Sequence, residues 1–447
     1  MGSPEWNNGN IVAYISMIVE SYQDFAQSRS IELQFVTKGE VIMDFVTDYV
    51  SKVMNNFLSN ALKFTPEGGK VSVAVWQEDS RLRIDVTDTG AGMDSETLSH
   101  IFEPFYQGES NAVHIGTGVG LALVKQIMDA VGGRITVDSK KGEGTAFHIS
   151  VPIRNRIRQR LVSDEVSNTP ILAEATSSPA DTVGDDNACR LLIIEDNNDI
   201  ASYIGSQLTD FYAVSYASNG NEGMEKALEL VPDLIITDLM MPGMDGLEVC
   251  RQVRSNEIIN HIPIIVVTAK CTDEERIKGI EAGADAYLSK PFNSNELRMR
   301  VEKLLDGRRL LQEKYMKNMT EDTEEENADE QLLSDSDLSF LANVTEAVYV
   351  ELNNKTDVNV SIIAERVCMS NSQFYRKVVA LTGYKPAGYI QRIKIKKAKK
   401  LILSDMEMNF GEIAEKSGFY DYSTFVRTFK NVCGITPSEY RKREVVN

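Results

Sequence analysis

Two asparagines, Asn56 and Asn60, stand four residues apart in MNNFLSNALKFT (54–65), a stretch whose apolar residues recur at helical spacing. Residues at positions i and i+4 share one face of a helix, so both side-chain amides can reach the same ligand. Two glycine-rich stretches follow, DTGAGM (88–93) and GTGVGLALVK (116–125), and the second leads directly into an apolar-periodic segment. Bare backbone can approach an anion at a helix N-terminus, which suits a phosphate group. Taken singly, the asparagines also fit an ordinary polar helix face, and the glycines fit turns.

Five polar residues follow short apolar runs further along the chain. Glu195 and Asp196 follow RLLII, Asp238 ends DLIITD, Thr268 ends IIVVT, and Lys290 follows DAYLS. Apolar five-residue runs separated by helical segments indicate buried parallel strands with crossover helices, and functional groups collect at the carboxyl ends of such strands. Three clustered carboxylates suit Mg²⁺, and a nucleophilic carboxylate can form an aspartyl phosphate. We expect Asp238 to be the phosphoacceptor, Glu195, Asp196 and Asp238 to hold Mg²⁺, and Thr268 and Lys290 to contact the phosphoryl group.

The C-terminal part contains two similar passages, residues 360–383 and 410–434, which each indicate a helix, a tight turn and a second helix. Ser370 fits the N-cap of the second helix in the first passage. Helical periodicity directs one side of each second helix inward, namely Phe374 and Val378, and Phe425 and Phe429. The residues expected to face outward are Ser372, Tyr375 and Arg376 in the first passage and Tyr422, Ser423 and Arg427 in the second, with Lys430 flanking.

The elements that must position these residues divide into three folded parts. The chain has 447 residues, enough for about three domains at roughly 150 residues each. Two stretches have linker composition: one rich in Ser, Thr, Pro and Asp, and one that contains EDTEEENADE, with seven acidic residues in ten. The expected divisions are a first domain at 10–153, a linker at 154–188, a second domain at 189–310, an acidic linker at 311–337 and a third domain at 338–443.

Charge and composition limit the possible partners. The net charge is −19, yet the residues from 357 onward contain 16 Lys and Arg against 9 Asp and Glu. One basic terminal block on an acidic protein suggests a phosphate-bearing partner at that end only. No apolar run approaches the ~20 residues that span a bilayer. Five scattered cysteines without a CxxC pair favour reduced thiols, so we expect a cytoplasmic location.

The motifs of the first part resemble, in order, those of the ATP-binding domain shared by histidine kinases, gyrase B and the heat-shock chaperone ATPases. The asparagine helix, DTGAGM, FEPFYQ (102–107), GTGVGLALVK and GEGT (142–145) match its five sequence boxes. The resemblance implies an α/β sandwich that binds ATP with Mg²⁺. It also implies that Asp88 accepts a hydrogen bond from the adenine amino group, that Asn60 holds Mg²⁺, and that Lys63 lies near the phosphates. The implied nucleotide-binding residues are Asn56, Asn60, Lys63, Asp88, Gly90, Gly92, Gly116, Gly118, Gly120 and Thr145, with Gly116, Gly118 and Gly120 in a mobile lid.

Asn56 indicates which reaction such a site supports. The hydrolysing relatives have a glutamate at this position that takes a proton from the attacking water, and an amide cannot act as that general base. The site is therefore expected to hold Mg·ATP for phosphoryl transfer by positioning and charge neutralisation, as in a kinase. Histidine kinases carry the phosphoacceptor histidine on a dimerisation hairpin upstream. None of His100, His114, His148 and His261 has that sequence context, and residues 10–30 are similar to the segment after that hairpin.

The second part resembles the receiver domain of response regulators, with a flavodoxin-like, doubly wound parallel sheet. Tyr287 matches the aromatic switch position of that family, although a simple packing role fits it equally well. The third part resembles the AraC/XylS-type DNA-binding domain, an all-α double helix-turn-helix, including its closing GITPSEYR. Two joined units can place recognition helices in successive major grooves, with Arg376 and Arg427 reading guanine edges and some lysines of 394–400 contacting phosphates. An ordinary solvated helix face is the alternative for those lysines.

These resemblances together imply a hybrid two-component regulator that lacks the sensor and the dimerisation hairpin, in a chain expected to be a truncated piece of a membrane-anchored parent. The expected function is ATP-dependent histidine kinase activity, phosphoryl transfer to Asp238, and phosphorylation-regulated transcription. The expected partners are promoter DNA, a phosphohistidine donor domain in cis upstream or in trans, and a second copy of the chain. The alternative is a transcription factor whose ATP-binding domain is catalytically silent. An ATPase of the gyrase or chaperone kind is a third possibility, which Asn56 argues against.

Overall fold

Apolar and polar residues alternate along Lys70–Glu78 and Arg81–Asp88, and in the computed structural model these segments form adjacent antiparallel strands with one buried face. The structure describes residues 4, 6–106, 119–156, 189–269, 273–318, 333–354, 358–405 and 407–446. The two strands belong to a five-stranded mixed sheet in the order β2-β4-β5-β7-β6. Helices cover one face of this sheet, so the α/β sandwich predicted for the first part is confirmed.

The first part contains seven strands and five helices within the described residues. A separate two-stranded antiparallel sheet joins β1 to β3. The stretch 54–65, whose apolar residues recur at helical spacing, lies at the C-terminal end of the helix Thr47–Phe64, and the apolar-periodic segment after the second glycine-rich stretch forms the helix Gly120–Val131. In chain order the elements are β1 (Trp6–Asn10), α1 (Ile11–Glu20), α2 (Gln23–Ser28), β2 (Glu32–Thr37), β3 (Ile42–Val46), α3 (Thr47–Phe64), β4 (Lys70–Glu78), β5 (Arg81–Asp88), α4 (Ser95–His100), α5 (Gly120–Val131), β6 (Arg134–Lys140) and β7 (Gly144–Pro152).

Helix α1 is buried on every side. Its sequence IVAYISMIVE has no charged residue before Glu20, and all nine residues from Ile11 to Val19 are buried. A helix that is apolar all round needs cover on all of its faces. Helix α3 packs against one side of α1, and helix α6 (Asn198–Ser206) of the second part packs against another. The hydrophobic core of the first part therefore continues into the second.

The second part is a five-stranded parallel sheet in the order β12-β11-β10-β8-β9, which confirms the doubly wound sheet predicted from the apolar runs. Its strands β8, β10 and β11 are buried on both faces, as expected for parallel strands covered by helices. The elements are β8 (Arg190–Ile194), α6, β9 (Ala213–Ala217), α7 (Gly220–Leu230), β10 (Leu234–Asp238), α8 (Gly246–Ser255), β11 (Ile264–Thr268), α9 (Asp273–Glu281), β12 (Ala286–Ser289) and α10 (Ser294–Asn318).

Helix α10 extends out of the second part and packs against the helical third part. Gln312 on α10 donates to the carbonyl oxygens of Val379 and Ala380, and the hydroxyls of Tyr315 and Tyr389 lie 3.3 Å apart. The remaining helices are α11 (Asp335–Asn353), α12 (Val360–Arg366), α13 (Asn371–Thr382), α14 (Pro386–Ser404), α15 (Phe410–Lys416), α16 (Tyr422–Cys433) and α17 (Pro437–Val446). Two separate cores, one on each side of the connecting helix α14, confirm the predicted pair of helix-turn-helix units.

Helix starts in the third part follow from local capping chemistry. Ser370 is the N-cap of α13, and with Gln373 it forms a reciprocal capping box. Asp421 caps α16 by accepting a hydrogen bond from the backbone N–H of Thr424 at 2.7 Å. Each cap satisfies a backbone donor that the first helical turn leaves unpaired. Within the described residues no helix is both long and apolar enough to cross a bilayer.

Candidate phosphate-handling sites

The first candidate site lies where β5 ends and the loop after it meets α3. Asp88 is the last residue of β5, is 8% exposed, and accepts hydrogen bonds from the backbone N–H groups of Gly90, at 2.8 Å, and Thr145. Burial raises the pKa of Asp88 above its ordinary value, and these two N–H donors oppose the rise. The backbone N–H of Ala91 donates to the carbonyl oxygen of Phe64 at 3.3 Å. This bond ties the Asp88 loop to the C-terminus of α3.

Glycines permit the close backbone approaches around Asp88. Gly144 has φ +102°, and a Cβ there would lie 2.0 Å from the carbonyl oxygen of Asp88. Gly92 has φ +63°, and a Cβ there would lie 2.0 Å from the carbonyl oxygen of Lys140. Both positions combine a left-handed backbone with no room for a side chain. The two glycine motifs therefore bring the β6–β7 turn against the Asp88 loop.

The asparagine helix faces the start of α5. Asn56 and Asn60 are both half-buried, and the Asn56 amide donates to the carbonyl oxygen of Lys52 at 2.7 Å. A Cβ on Gly120 would lie 2.0 Å from Asn56 Oδ1, so glycine at this position lets the N-terminus of α5 approach the amide without displacing it. The ammonium of Lys63 lies 5.1 Å from the centroid of the Phe64 ring. The predicted residues Gly116 and Gly118 lie outside the described residues.

The second candidate site lies at the carboxyl edge of the parallel sheet. Ligand oxygens of Glu195, Asp196 and Asp238 lie within 4.8 Å of one another. Glu195 and Asp238 are each 2% exposed, whereas Asp196 is exposed. Asp238 Oδ1 accepts from the backbone N–H of Leu239 at 2.8 Å, while the buried Oδ2 has no hydrogen-bond partner. Three converging carboxylates fit a hard divalent cation such as Mg²⁺.

Lys290 places a positive charge among the carboxylates at the carboxyl edge of the parallel sheet. Its Nζ lies 3.0 Å from Glu195 and 3.2 Å from Asp238, and its side chain has no exposed surface. Burial alone would lower the pKa of Lys290, but the surrounding carboxylates raise the pKa above its ordinary value, so the ammonium stays charged. Burial raises the pKa of Asp238, which Lys290 opposes. Thr268 is 1% exposed, and its carbonyl oxygen accepts from the backbone N–H of Lys290 at 2.7 Å.

Tyr287 packs inward from β12. Its hydroxyl is buried without a hydrogen-bond partner, and a Cβ on Gly279 would lie 1.0 Å from that oxygen. The missing side chain at Gly279 therefore makes room for the tyrosine ring against α9. This placement agrees with a packing role and leaves the switch role as a prediction.

The third candidate surface is the outward face of α16. Phe425 and Phe429 are fully buried beneath it, as predicted. Tyr422, Ser423, Arg427 and Lys430 are exposed, so four of the predicted DNA-contacting residues are accessible on one helix. Of the lysines on α14, Lys396 and Lys400 are exposed; the others, Lys394, Lys397 and Lys399, lie against aromatic rings of neighbouring helices.

Comparison with known proteins finds three domain families along the chain. Three family models match in order: the histidine kinase-, DNA gyrase B- and HSP90-like ATPase over residues 46–155, the response regulator receiver domain over 191–302, and a helix-turn-helix domain over 363–443. The chain has the domain order of a hybrid two-component regulator. The first match implies ATP binding, and the third domain is of the AraC type.

Curated relatives that match this chain are much longer. "Histidine kinase P4" of Formosa agariphila is 28% identical over 97% of this chain but only 33% of its own length. "Sensor histidine kinase TmoS" of Ectopseudomonas mendocina is 32% identical over 65% of this chain and 31% of its own length. The chain thus spans about a third of these relatives. Among solved structures, full-length ShkA in complex with AMPPNP matches 68% of this chain and 85% of its own, at 21% identity and a TM-score of 0.31.

Helical periodicity predicted that Arg376 of α13 faces outward, but in this structure it faces the receiver, and its contact with DNA stays a prediction. The Arg376 side chain is 12% exposed, and its guanidinium lies 4.0 Å from Asp233 of the receiver. Tyr375 and Arg376 line a cavity between α13 and the receiver, whereas Ser372 is exposed. Gln373 donates to the carbonyl oxygen of Leu228 at 2.9 Å. The receiver therefore covers part of the face that helical periodicity assigned to DNA.

The sequence did not predict two residues that make contacts between domains, Lys377 and Glu20. Lys377 of α13 is fully buried, and its Nζ donates to Asn260 Oδ1 at 2.8 Å and to the carbonyl oxygen of Glu257 in the receiver. Glu20, at the end of α1, reaches Lys290 in the receiver site at 3.3 Å. Contacts between domains have no local sequence signal, although the unbroken apolar run of α1 indicates a helix that needs cover on every side.

Proposed function

We propose that this chain is the signalling and DNA-binding part of a hybrid two-component regulator, in which Asp238 receives a phosphoryl group that originates from ATP and its phosphorylation alters DNA binding. The carrying observation is the carboxyl edge of the parallel sheet, where Asp238, Glu195, Asp196 and Lys290 converge. Asp238 is a buried carboxylate whose Oδ2 lies 3.2 Å from the buried ammonium of Lys290, and this cation would also stabilise the charge of a phosphoryl group on Asp238.

In the transfer step, the phosphorus–nitrogen bond of a phosphohistidine breaks as a phosphorus–oxygen bond to Asp238 forms. The leaving imidazole keeps the electron pair of the broken bond and takes up a proton. Lys290 pairs with the phosphoryl oxygens, and the Thr268 hydroxyl donates a hydrogen bond to them. Bound Mg²⁺, held by Glu195, Asp196 and Asp238, would neutralise the charge of the carboxylates and the phosphoryl group.

The first domain would supply the phosphoryl group. Asp88 would bind the adenine amino group, Asn60 would hold the Mg²⁺ that accompanies ATP, and Lys63 would pair with the phosphates. Gly90, Gly92 and Thr145 support the Asp88 loop, and Gly120 lets α5 approach Asn56. Because Asn56 cannot remove a proton from water, the site favours transfer to a protein acceptor over hydrolysis.

The acceptor histidine would come from a separate dimerisation domain, in the parent protein or in trans. His100 pairs with Glu103 at 2.9 Å, and His148 lies between Asp85 and Asp138, so both belong to local pairs of the ATP-binding domain. His261 lies in the receiver, and burial lowers its pKa well below the ordinary value. His114 lies outside the described residues.

DNA binding would begin with α16 and be completed by α13. The exposed face of α16 offers Arg427 for a guanine edge, with Lys430 and Lys400 for phosphates. Helix α13 would bind DNA as well once it dissociates from the receiver. Phosphorylation of Asp238 would bias this step, and two copies of the chain would bind promoter DNA as a dimer.

The test supplies a phosphoacceptor histidine on a separate protein. The purified chain is incubated with γ-labelled Mg·ATP and a separately expressed two-helix dimerisation hairpin that carries a phosphoacceptor histidine. We expect label on the hairpin histidine first and on Asp238 later. Asn60→Ala should abolish both labels, whereas Asp238→Asn should abolish only the second. Absence of phosphohistidine at every hairpin concentration would contradict the kinase part of the proposal.

A second candidate function is a transcription factor whose ATP-binding domain is catalytically silent. It is favoured by the histidines of the described residues, since His100 and His148 pair with carboxylates and His261 is buried. It predicts ATP binding and DNA binding without any transfer in the hairpin experiment.

A further inference from the structure

Helix α1 of the ATP-binding domain carries a carboxylate into the receiver site. Glu20 is the last residue of α1, and both of its carboxylate oxygens lie 3.3 Å from Lys290 Nζ. Lys290 is also within 3.2 Å of Glu195 and Asp238. Three carboxylates thus share one buried ammonium, and one of them belongs to another domain.

The contact extends beyond this ion pair. The rings of Tyr14 on α1 and Tyr203 on α6 have centroids 6.3 Å apart, and Tyr203 in turn lies 6.1 Å from Phe292, two residues after Lys290. Asn197, the N-cap of α6, donates its amide to Ser16 Oγ at 3.4 Å. The covered face of α1 is apolar, and its exposure to water would be unfavourable by about 25 cal/mol for each Å². The receiver therefore fits a surface that the sequence of α1 requires to be covered.

Docking closes the phosphorylation site. Asp238 and Lys290 are each 2% exposed with α1 in place, so docking restricts access of a phosphohistidine to the Asp238 oxygens. A phosphoryl group on Asp238 would place additional negative charge beside Glu20 and would need the same ammonium. Like charges that compete for one buried cation repel one another strongly in a poorly solvated site.

We propose that α1 is an intramolecular cap of the receiver, and that the Glu20 carboxylate occupies the Lys290 position required by a phosphoryl group on Asp238. Docking of the ATP-binding domain and phosphorylation of Asp238 then exclude each other. This inference rests on the proposed role of Asp238 as phosphoacceptor. The cap keeps the acceptor closed until the ATP-binding domain moves away, and phosphorylation in turn prevents its return.

The test uses a small phosphodonor on the full chain. Wild type, Glu20→Gln, Glu40→Gln and Asp238→Asn are treated with labelled acetyl phosphate and Mg²⁺, and the rate of label incorporation is measured. Glu20→Gln removes the charge but keeps the shape, so we expect incorporation about tenfold faster, which corresponds to about 1.4 kcal/mol. Glu40 is exposed in the β2–β3 loop, so Glu40→Gln should match wild type.

Equal rates for wild type and Glu20→Gln, with Asp238→Asn unlabelled, would overturn the cap and leave the role of Asp238 intact. No label in any of the four proteins would instead remove the proposed function, and the cap with it.

A second measurement needs no substitution. Amide hydrogen exchange of the wild-type chain is compared with and without beryllofluoride and Mg²⁺, a stable mimic of the aspartyl phosphate. Because α1 would lose its cover, exchange in Ile11–Glu20 and in α6 should rise when beryllofluoride binds. Unchanged protection of α1 in a chain that has bound beryllofluoride would contradict the proposal.

Discussion

Removal of the Asn260 side chain should release helix α13 from the receiver and strengthen DNA binding. Asn260 Oδ1 accepts a hydrogen bond from Lys377 Nζ at 2.8 Å, and its amide donates to Ser336 Oγ at 2.8 Å. Lys377 is fully buried, and burial lowers its pKa to about 8 although Asp337 and Glu257 favour the charged form. Asn260→Ala removes an acceptor from this costly buried amine without changing any predicted DNA contact.

The magnitude follows from the two hydrogen bonds. A bond to a charged donor contributes about 1.5–3 kcal/mol and a neutral bond about 0.5–1.5 kcal/mol. Glu257 keeps its carbonyl contact with Lys377, so we take the lower limit, about 2 kcal/mol. The apparent affinity of a protein falls with the fraction of its population that can bind. If docking blocks α13, Asn260→Ala should raise DNA affinity up to about 30-fold, at 1.4 kcal/mol for each factor of ten.

The assay is fluorescence anisotropy with a pool of random-sequence duplexes, each long enough to contact both recognition helices, across a series of salt concentrations. Release of α13 adds phosphate contacts, so the affinity of Asn260→Ala should also fall more steeply with salt. Asn221→Ala, an exposed asparagine on α7, is the matched control and should behave as wild type. Equal affinity and equal salt slope for folded Asn260→Ala and wild type would refute the idea that the receiver blocks α13.

Three further predictions concern DNA and ATP. Arg427→Ala should lower the DNA affinity of the unphosphorylated chain by about 1–3 kcal/mol, whereas Arg376→Ala should have little effect there; anisotropy distinguishes them, and equal losses would contradict the difference in exposure. Wild type should show no sustained ATP hydrolysis, and Asn56→Glu should introduce measurable phosphate release by restoring a general base; steady release by wild type would refute this reasoning. Burial raises the pKa of the Asp88 carboxyl above its ordinary value. ATP affinity measured by calorimetry should therefore fall as the pH is lowered through this raised pKa. Asp88→Asn should bind more weakly at pH 7 and lose this pH dependence, and an unchanged pH profile would exclude Asp88 as its origin.

The positions of site and core residues were predictable from the sequence where they depend on local periodicity or on the ends of strands. Asp238 ends, and Lys290 follows, apolar runs typical of buried parallel strands, so their convergence at one sheet edge was expected and is present. Phe374 and Phe425 were correctly assigned to the interior because helical spacing alone determines which face is apolar.

The environment of the two recognition helices was not predictable in the same way. Arg376 and Arg427 occupy matching places in similar passages, yet the first faces Asp233 and the second faces solvent. This difference arises because α10 extends from the receiver and packs against the first helix-turn-helix unit. Gln312 of α10, for example, donates a hydrogen bond to the carbonyl oxygen of Val379. Such docking depends on surfaces far apart in sequence, and no local motif encodes it.

The most direct test of the account compares the DNA affinity of the full chain before and after Asp238 is phosphorylated. Wild type and Asp238→Asn are treated with acetyl phosphate and Mg²⁺, occupancy is followed by intact mass, and duplex affinity is measured by anisotropy. We predict that the wild-type mass increases by one phosphoryl group and that DNA affinity changes with it, while Asp238→Asn changes in neither. Full phosphorylation of Asp238 with unchanged DNA affinity, or an equal change in Asp238→Asn, would contradict the account.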